Sequence, residues 1–156
     1  MQGDPEILTA LNDILTSELT AINQYFIHHK MLENWHYGRL SKNKREESIE
    51  EMKHADKVIA RILFLDGVPN MQRLAPVKVG EEPIEMHKLD LALEREAVAR
   101  LNKAIALCLS KQEAGTRELL EELLEDEEGS VDFLEAQLKL VEDIGRERYL
   151  SEQLRE

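Results

Sequence analysis

The sequence reads Glu50-Glu51-Met52-Lys53-His54-Ala55-Asp56 over residues 50–56. Glu51 and His54 stand three residues apart, so on a helix both side chains reach the same side and can bind one metal ion. Met52 is turned about 100° away from Glu51, because a helix has about 3.6 residues per turn. The stretch therefore predicts a helix with one ligand set directed inward and a different ligand, the Met52 thioether, directed outward.

Long helices are predicted on both sides of this stretch, because Gly (7 residues) and Pro (4 residues) are few and separate runs rich in Leu, Glu, Ala and Lys. The predicted helices run from Asp4 to about Trp35, from near Asn43 to Gly67, from Pro83 to about Leu109, from near Gly115 to Gly145 and from near Arg148 to Leu154. Residues 67–82 lack a helical period and are long enough to cross from one end of a bundle to the other. We expect an all-α four-helix bundle with one long crossover and a short fifth C-terminal helix.

The length and composition limit where the chain can work. A chain of 156 residues fits one domain, 1–156, that buries a core without disulfides. Cys108 stands alone and cannot form an internal bridge, the N-terminus has no signal-peptide pattern, and no apolar run approaches a membrane span. We therefore expect a soluble, cytoplasmic protein with no membrane partner.

The charge of the chain argues against one class of partner. With 32 acidic and 20 basic residues, the formal net charge is −12, so binding to a phosphate backbone is excluded as a main role and no nucleic-acid partner is expected. The acidic surface can serve solubility alone, or it can attract cations. Composition does not separate these two interpretations.

Four glutamates interrupt apolar stripes at positions where a core Leu is expected, one on each long helix: Glu18, Glu51, Glu94 and Glu127. Glu51 follows Glu18 by 33 residues, and Glu127 follows Glu94 by the same interval. A buried, unpaired carboxylate costs several kcal/mol, so these side chains need partners, and a metal cluster would supply them. Two single glutamates with two Glu-x-x-His motifs form the ligand set of di-iron and di-manganese carboxylate proteins. The alternative is a purely structural bundle whose carboxylates pair with Lys or Arg.

The second of the two motifs is incomplete. It reads Glu127-Glu128-Gly129-Ser130, with Ser130 where the symmetric histidine is expected. A neutral hydroxyl is a far poorer ligand than imidazole, so one metal position is predicted to be weak and held by carboxylates and water. His28 and His87 lie on other sides or turns of their helices and do not replace it. A serine here is also typical of a site that is no longer used.

Four stretches carry a family resemblance: the opening MQGDPEIL, the first-helix run LTSELTAINQYFIHHKMLENW, the second-helix run ESIEEMKHADKVIARILFLDGVPN, and DEEG in the fourth helix. With these stretches the chain resembles the bacterioferritins along nearly its whole length. The resemblance implies a ferritin-like bundle, two-fold dimers, and a hollow homo-oligomeric cage of twenty-four subunits that stores ferric mineral.

The resemblance also assigns roles to single residues. It implies a di-iron ferroxidase centre with the ligands Glu18, Glu51, His54, Glu94 and Glu127. It implies that Met52 is the axial ligand of a b-type haem, supplied once by each subunit across the dimer axis. Ser130 stands at the family's second ligand histidine, so the oxidation of Fe(II) by O₂ or peroxide is expected to be reduced, and whether this subunit acts as an enzyme is left open.

Partners follow from the same resemblance. Some cages of this family mix a subunit with a complete ferroxidase centre and a subunit that retains the haem methionine, and this sequence resembles the second type. A small iron-sulfur ferredoxin is the implied electron donor. The prediction is an iron-storage cage subunit with haem b and an impaired di-iron site. The alternative is a small di-iron oxidase or peroxidase of the ferritin-like class without storage.

Overall fold

The computed structural model describes residues 1–155, which form a helical bundle. The helices are α1 (Pro5–Asn34), α2 (Gly38–Phe64), α3 (Pro83–Ser110), α4 (Ala114–Ile144) and α5 (Arg146–Glu152). α1 packs mainly against α2 and α3 mainly against α4, and the two pairs meet where α1 contacts α3 and α2 contacts α4. The predicted four-helix bundle with a short fifth helix is confirmed.

Side-chain caps fix the starts of α1 and α3. The Asp4 carboxylate accepts a hydrogen bond of 2.8 Å from the backbone N–H of Glu6, and Pro5 occupies the first helical position. The Glu82 carboxylate accepts in the same way from the N–H groups of Ile84 and Glu85. Such caps satisfy backbone donors that have no partner inside the helix. Both starts lie where the sequence predicts them.

The predicted start of α2 near Asn43 is wrong, because the helix begins at Gly38. Tyr37 precedes it and makes no side-chain capping bond, so no start signal marks this point in the sequence. Packing holds the first turns instead. Leu40 is buried in one apolar cluster with residues of α5, and the Ser41 hydroxyl donates a hydrogen bond of 3.1 Å to the carbonyl of His29. Tertiary contacts thus extend a helix beyond its local signals.

The predicted bounds of the fifth helix also shift, since α5 spans Arg146–Glu152 instead of Arg148 to Leu154. Gly145 ends α4 with a φ of 86°, a left-handed conformation that glycine adopts at little cost, and the chain re-enters a helix at the next residue. Tyr149 and Leu150 are buried against Leu32 of α1 and Met86 of α3. α5 therefore closes one end of the bundle.

The crossover after α2 runs along one polar stripe of α1. The stripe repeats every four residues: Asn12, Thr16, Thr20, Gln24 and His28. Backbone N–H groups of the crossover bind this stripe: Ala75 donates to Thr20 at 3.0 Å, Lys78 to Gln24 at 3.2 Å and Gly80 to His28 at 3.0 Å. The predicted crossover is confirmed, and α1 satisfies part of its backbone hydrogen bonding.

The interior of the bundle has apolar ends and a polar middle. One apolar cluster lies at the end where α1 begins and includes Leu11, Val58, Leu101 and Leu120, one from each long helix. The second apolar cluster lies under α5 at the opposite end. Residues of the polar middle come from the central turns of all four long helices. Between residues 1 and 155, no helix is long and apolar enough to cross a membrane.

Candidate metal centre

Four buried carboxylates occupy the polar middle of the bundle. Glu18, Glu51, Glu94 and Glu127, one from each long helix, are each at most 2% exposed. Ligand atoms of Glu18, Glu51, Glu127 and His54 all lie within 4.8 Å of one another. The structure thus brings four of the five predicted metal ligands into one group, and the fifth, Glu94, lies beside it. Their role as ligands stays a prediction.

His54 stands between these carboxylates. Its Nδ1 lies 2.9 Å from Glu127 Oε1, 3.6 Å from Glu18 Oε2 and 3.7 Å from Glu51 Oε2. Burial alone would lower the pKa of His54, but the hydrogen bond to Glu127 and the nearby carboxylates of Glu18 and Glu51 outweigh it and raise the pKa above its ordinary value. Without a metal, the imidazolium supplies the positive charge that the carboxylates need.

Glu51, Glu94 and Glu127 hold their protons more tightly than usual. Burial, followed by the charge of Glu18, raises the pKa of Glu51 well above its ordinary value. Burial also raises the pKa of Glu94 and of Glu127. A group of acids that is buried and mutually repelling is a site where divalent cations can displace protons.

Three oxygen atoms of the cluster have no hydrogen-bond partner: Oε2 of Glu18, Oε2 of Glu94 and Oε2 of Glu127. Among residues 1–155, His54 is the one basic side chain within ion-pair distance of any of the four carboxylates, and it reaches Glu18, Glu51 and Glu127. A structural bundle would pair such groups with Lys or Arg, since an unsatisfied buried acceptor is costly. The donor set and the lone oxygens fit hard cations such as iron or manganese.

Glu94 is tied to a residue that the sequence analysis missed. The Tyr25 hydroxyl donates a hydrogen bond of 3.0 Å to Glu94 Oε1, and both side chains are buried. Burial and then the charge of Glu94 raise the pKa of Tyr25 well above its ordinary value, so the phenol stays protonated and donates. Tyr25 follows Glu18 by seven residues on α1, and that interval of two turns could have placed it on the same face.

Ser130, at the position where the histidine is missing, makes a hydrogen bond across the bundle. Its hydroxyl donates a hydrogen bond of 2.9 Å to Oε2 of Glu47 on α2. Both residues are half-buried, and Glu47 lies one turn before Glu51. Burial raises the pKa of Glu47, although the hydrogen bond from Ser130 opposes the shift. Glu47 is not among the predicted site residues, although its four-residue spacing from Glu51 places it on the same face of α2.

His28 and His87 belong to a separate buried network and do not replace the missing ligand, as their spacing predicts. His28 Nδ1 lies 3.0 Å from Asp90 Oδ1, and Lys44 Nζ lies 2.7 Å from Asp90 Oδ2. His87 Nδ1 lies 3.0 Å from Lys44 Nζ, and its Nε2 lies 2.8 Å from the Tyr149 hydroxyl. This network joins the middle of the bundle to α5 and leaves neither histidine among the four carboxylates.

Met52 lies on the outside of the bundle. It is 57% exposed, whereas its neighbours Glu51 and His54 are each 2% exposed. Ile49, one turn earlier on α2, and Phe26 of α1 are also exposed, and a hydrogen bond of 2.9 Å from Ser48 to the Ile22 carbonyl fixes the two helices beside each other. A thioether among exposed apolar side chains is a donor suited to a haem iron at an interface between subunits.

Comparisons with known proteins agree with the fold. The family model described as "Ferritin-like domain" matches residues 8–144. The chain is 50% identical over 149 residues to the bacterioferritin of Mycolicibacterium paratuberculosis, covering 96% of this chain and 94% of that protein. It is 49% identical to the bacterioferritin of Mycobacterium avium over the same shares. It is 46% identical to the bacterioferritin of Brucella melitensis, covering 96% of this chain and 92% of that protein.

Proposed function

The chain belongs to the bacterioferritin family, and from that premise we propose that it is a subunit of a cytoplasmic iron-storage cage of twenty-four chains built from two-fold dimers. The observation that carries the proposal is the group of four buried carboxylates around His54, three of which have an oxygen without a hydrogen-bond partner. Such a group is costly unless cations occupy it. Residues 1–156 then act as one ferritin-like domain.

Iron is the substrate of this centre. Two Fe²⁺ ions would be held between the four helices, by Glu51 and Glu127 together with Glu18 and His54 at the first position and Glu94 at the second. Each Fe²⁺ would give one electron, so that a pair with two protons reduces O₂ to hydrogen peroxide, or hydrogen peroxide to two water molecules. The Fe³⁺ would then move to the acidic cavity of the cage, where mineral forms. Ser130 places no nitrogen donor at the second position, so this subunit oxidises iron slowly and binds the second ion weakly.

Met52 holds a b-type haem together with Met52 of a second copy. Its exposure and the apolar side chains beside it support this role. When bound, the haem supplies a path for electrons toward the stored mineral, and a small iron-sulfur ferredoxin is the proposed donor. Because the haem ligand is kept and the ferroxidase motif is not, this chain also assembles with a second subunit type that has the complete centre.

Size and colour of the purified protein test the proposal. We expect a particle of about 24 chains of 18.0 kDa, a visible spectrum with haem absorption, and retention of added iron as ferric mineral. A dimer-sized species without haem that oxidises Fe²⁺ but releases it would contradict storage and favour a small di-iron oxidase.

A further inference from the structure

Two side chains with oxygen donors lie on the side of the centre that lacks a histidine. Glu47 on α2 and Ser130 on α4 face each other at 2.9 Å. His54 on α2 meets Asp126 and Glu127 on α4, so residue numbers fall along α2 as they rise along α4 and the two helices run in opposite directions. The pair of Glu47 and Ser130 therefore lies about one turn, or about 5 Å, beyond the pair of Glu51 and Glu127.

Two buried carboxylates of the centre, Glu94 and Glu127, can supply further oxygen donors. Glu94 and Glu127 are each 1% exposed, and the Oε2 atom of each has no partner. The charges of Glu127 and Glu47 influence each other, since after burial the charge of Glu127 helps to raise the pKa of Glu47. The charge of Glu47 also acts on Tyr25, which binds Glu94 directly. Ser130, which binds Glu47, follows Glu127 by three residues on α4, so the Glu47 carboxylate lies within about one helical turn of Glu127.

The hydroxyl of Ser130 gives Glu47 a fixed position. A half-buried glutamate has several rotatable bonds, and a donor on the facing helix restricts them. A histidine at residue 130 would bring its own ring into this space, whereas a serine is short enough to leave room for the longer Glu47 side chain. The substitution at residue 130 and the carboxylate at residue 47 can therefore act together.

We propose that Glu47, oriented by the Ser130 hydroxyl, supplies the oxygen ligand that completes the second metal position with Glu94 and Glu127. This inference rests on the proposed function and deepens it, because the centre then has one position with an imidazole donor and one built from oxygen atoms alone. Oxygen-only donors favour hard cations such as Mn²⁺ and ferric iron over softer ones.

Anaerobic Co²⁺ titration of the iron-free cage tests this inference without depending on oxidation activity. We expect two unequal Co²⁺ ions per subunit in the unmodified protein. Glu47→Gln, which keeps the size of the side chain and removes its charge, should weaken the second ion by about 10- to 100-fold and leave the first unchanged. Ser130→Ala should weaken the second ion less, because the carboxylate remains but loses its donor.

Glu46→Gln is the matched control, since Glu46 is the exposed neighbour of Glu47 and its substitution removes the same charge from the surface. Its titration should match that of the unmodified protein. Identical titrations of Glu47→Gln and Glu46→Gln, or a single Co²⁺ per subunit in the unmodified protein, would overturn the role of Glu47 while leaving the site at Glu51 and His54 intact. If no Co²⁺ bound at all, the proposed function itself would fail.

Discussion

Nδ1 of His54 lies 2.9 Å from Oε1 of Glu127, so the histidine of one helix pair binds the glutamate of the other directly. The contact is a charged hydrogen bond, because the carboxylates raise the pKa of His54. A metal ion bound here would replace the proton on His54 Nδ1 and supply the positive charge that offsets the carboxylates. Metal binding at this centre would therefore displace a proton, and its occupancy would depend on pH.

Substitution of His54 should weaken one metal position selectively. We expect His54→Ala to lower the affinity for the tighter Co²⁺ ion by at least about tenfold, because the imidazole is the one nitrogen donor in the group. Calorimetric titration of the iron-free protein measures this. His36→Asn serves as the control, since His36 is exposed in a turn with a φ of 67° that asparagine tolerates. Equal affinities in all three proteins would contradict the assignment.

The stabilising effect of a metal should grow with pH. Burial raises the pKa of Glu51, Glu94 and Glu127 above the ordinary value of 4.5, so the folded metal-free protein keeps protons that the unfolded chain releases. Its stability therefore falls as pH rises above 4.5 through the raised pKa values. Bound Mn²⁺ would stabilise the ionised carboxylates and so remove this loss of stability. We therefore expect the gain in thermal midpoint with Mn²⁺ to be larger at pH 7.5 than at pH 5.5.

The comparison with and without metal isolates this effect. Burial and the charge of Lys44 lower the pKa of His87 well below its ordinary value, which gives stability the opposite pH dependence. His87 lies outside the metal group and contributes equally to both forms, so it cancels in the difference. A gain in midpoint that is the same at both pH values would argue against proton displacement at the carboxylates.

Restoring a histidine at residue 130 should speed iron oxidation. We expect Ser130→His to increase the fast phase of Fe²⁺ oxidation by about 10- to 100-fold, because imidazole is a stronger donor than the hydroxyl of serine. Stopped-flow absorbance of the homopolymer measures it. Ser130→Ala breaks the contact with Glu47 without adding a nitrogen and should not accelerate the reaction. Equal fast phases in Ser130→His and the unmodified protein would rule out impairment by Ser130.

The sequence predicts the bundle well because its signals are local. Asp4 and Glu82 cap helices within their own chain segment, and the glutamate spacing of 33 residues recurs in both helix pairs. The start of α2 carries no such signal, since Leu40 is held by α5 across the bundle. Long-range packing decided that boundary, and no local pattern could predict it.

In the candidate centre, too, residues with a local sequence signal could be predicted and residues that depend on long-range contacts could not. The four glutamates stand out because each breaks an apolar stripe, and the structure brings them together. Tyr25 and Glu47 could not be recognised in this way, because their importance depends on the contacts with Glu94 and Ser130 across the bundle. Lys44 was also missed, since a lysine on a charged helix predicts an exposed side chain.

Replacement of Met52 should remove haem without affecting iron binding. We expect Met52→Leu to lose nearly all haem absorption per subunit, because leucine keeps the apolar shape and removes the sulfur ligand. Absorption spectra and iron content of cages grown with added haem precursor measure the two properties. Met71→Leu is the control, since Met71 is similarly exposed at 54% but lies in the crossover. Haem retained in Met52→Leu would exclude Met52 as the ligand.

Loss of Lys44 should destabilise the bundle more than any surface lysine. Lys44 is 0% exposed, and its Nζ lies 2.7 Å from Asp90 Oδ2. Burial alone would raise the pKa of Asp90, but Lys44 and hydrogen bonds from His28 and Gln24 hold it at about 2. Lys44→Met leaves this carboxylate charged and buried, which costs about 3–5 kcal/mol and lowers the thermal midpoint at pH 7 by about 10 °C. Lys42→Met, at an exposed position two residues earlier, should change the midpoint little.

A double variant tests whether the lost charge is the cause. Adding Asp90→Asn to Lys44→Met should recover part of the lost stability, because the uncompensated charge is then gone. A double variant no more stable than Lys44→Met would show that the ammonium acts through packing.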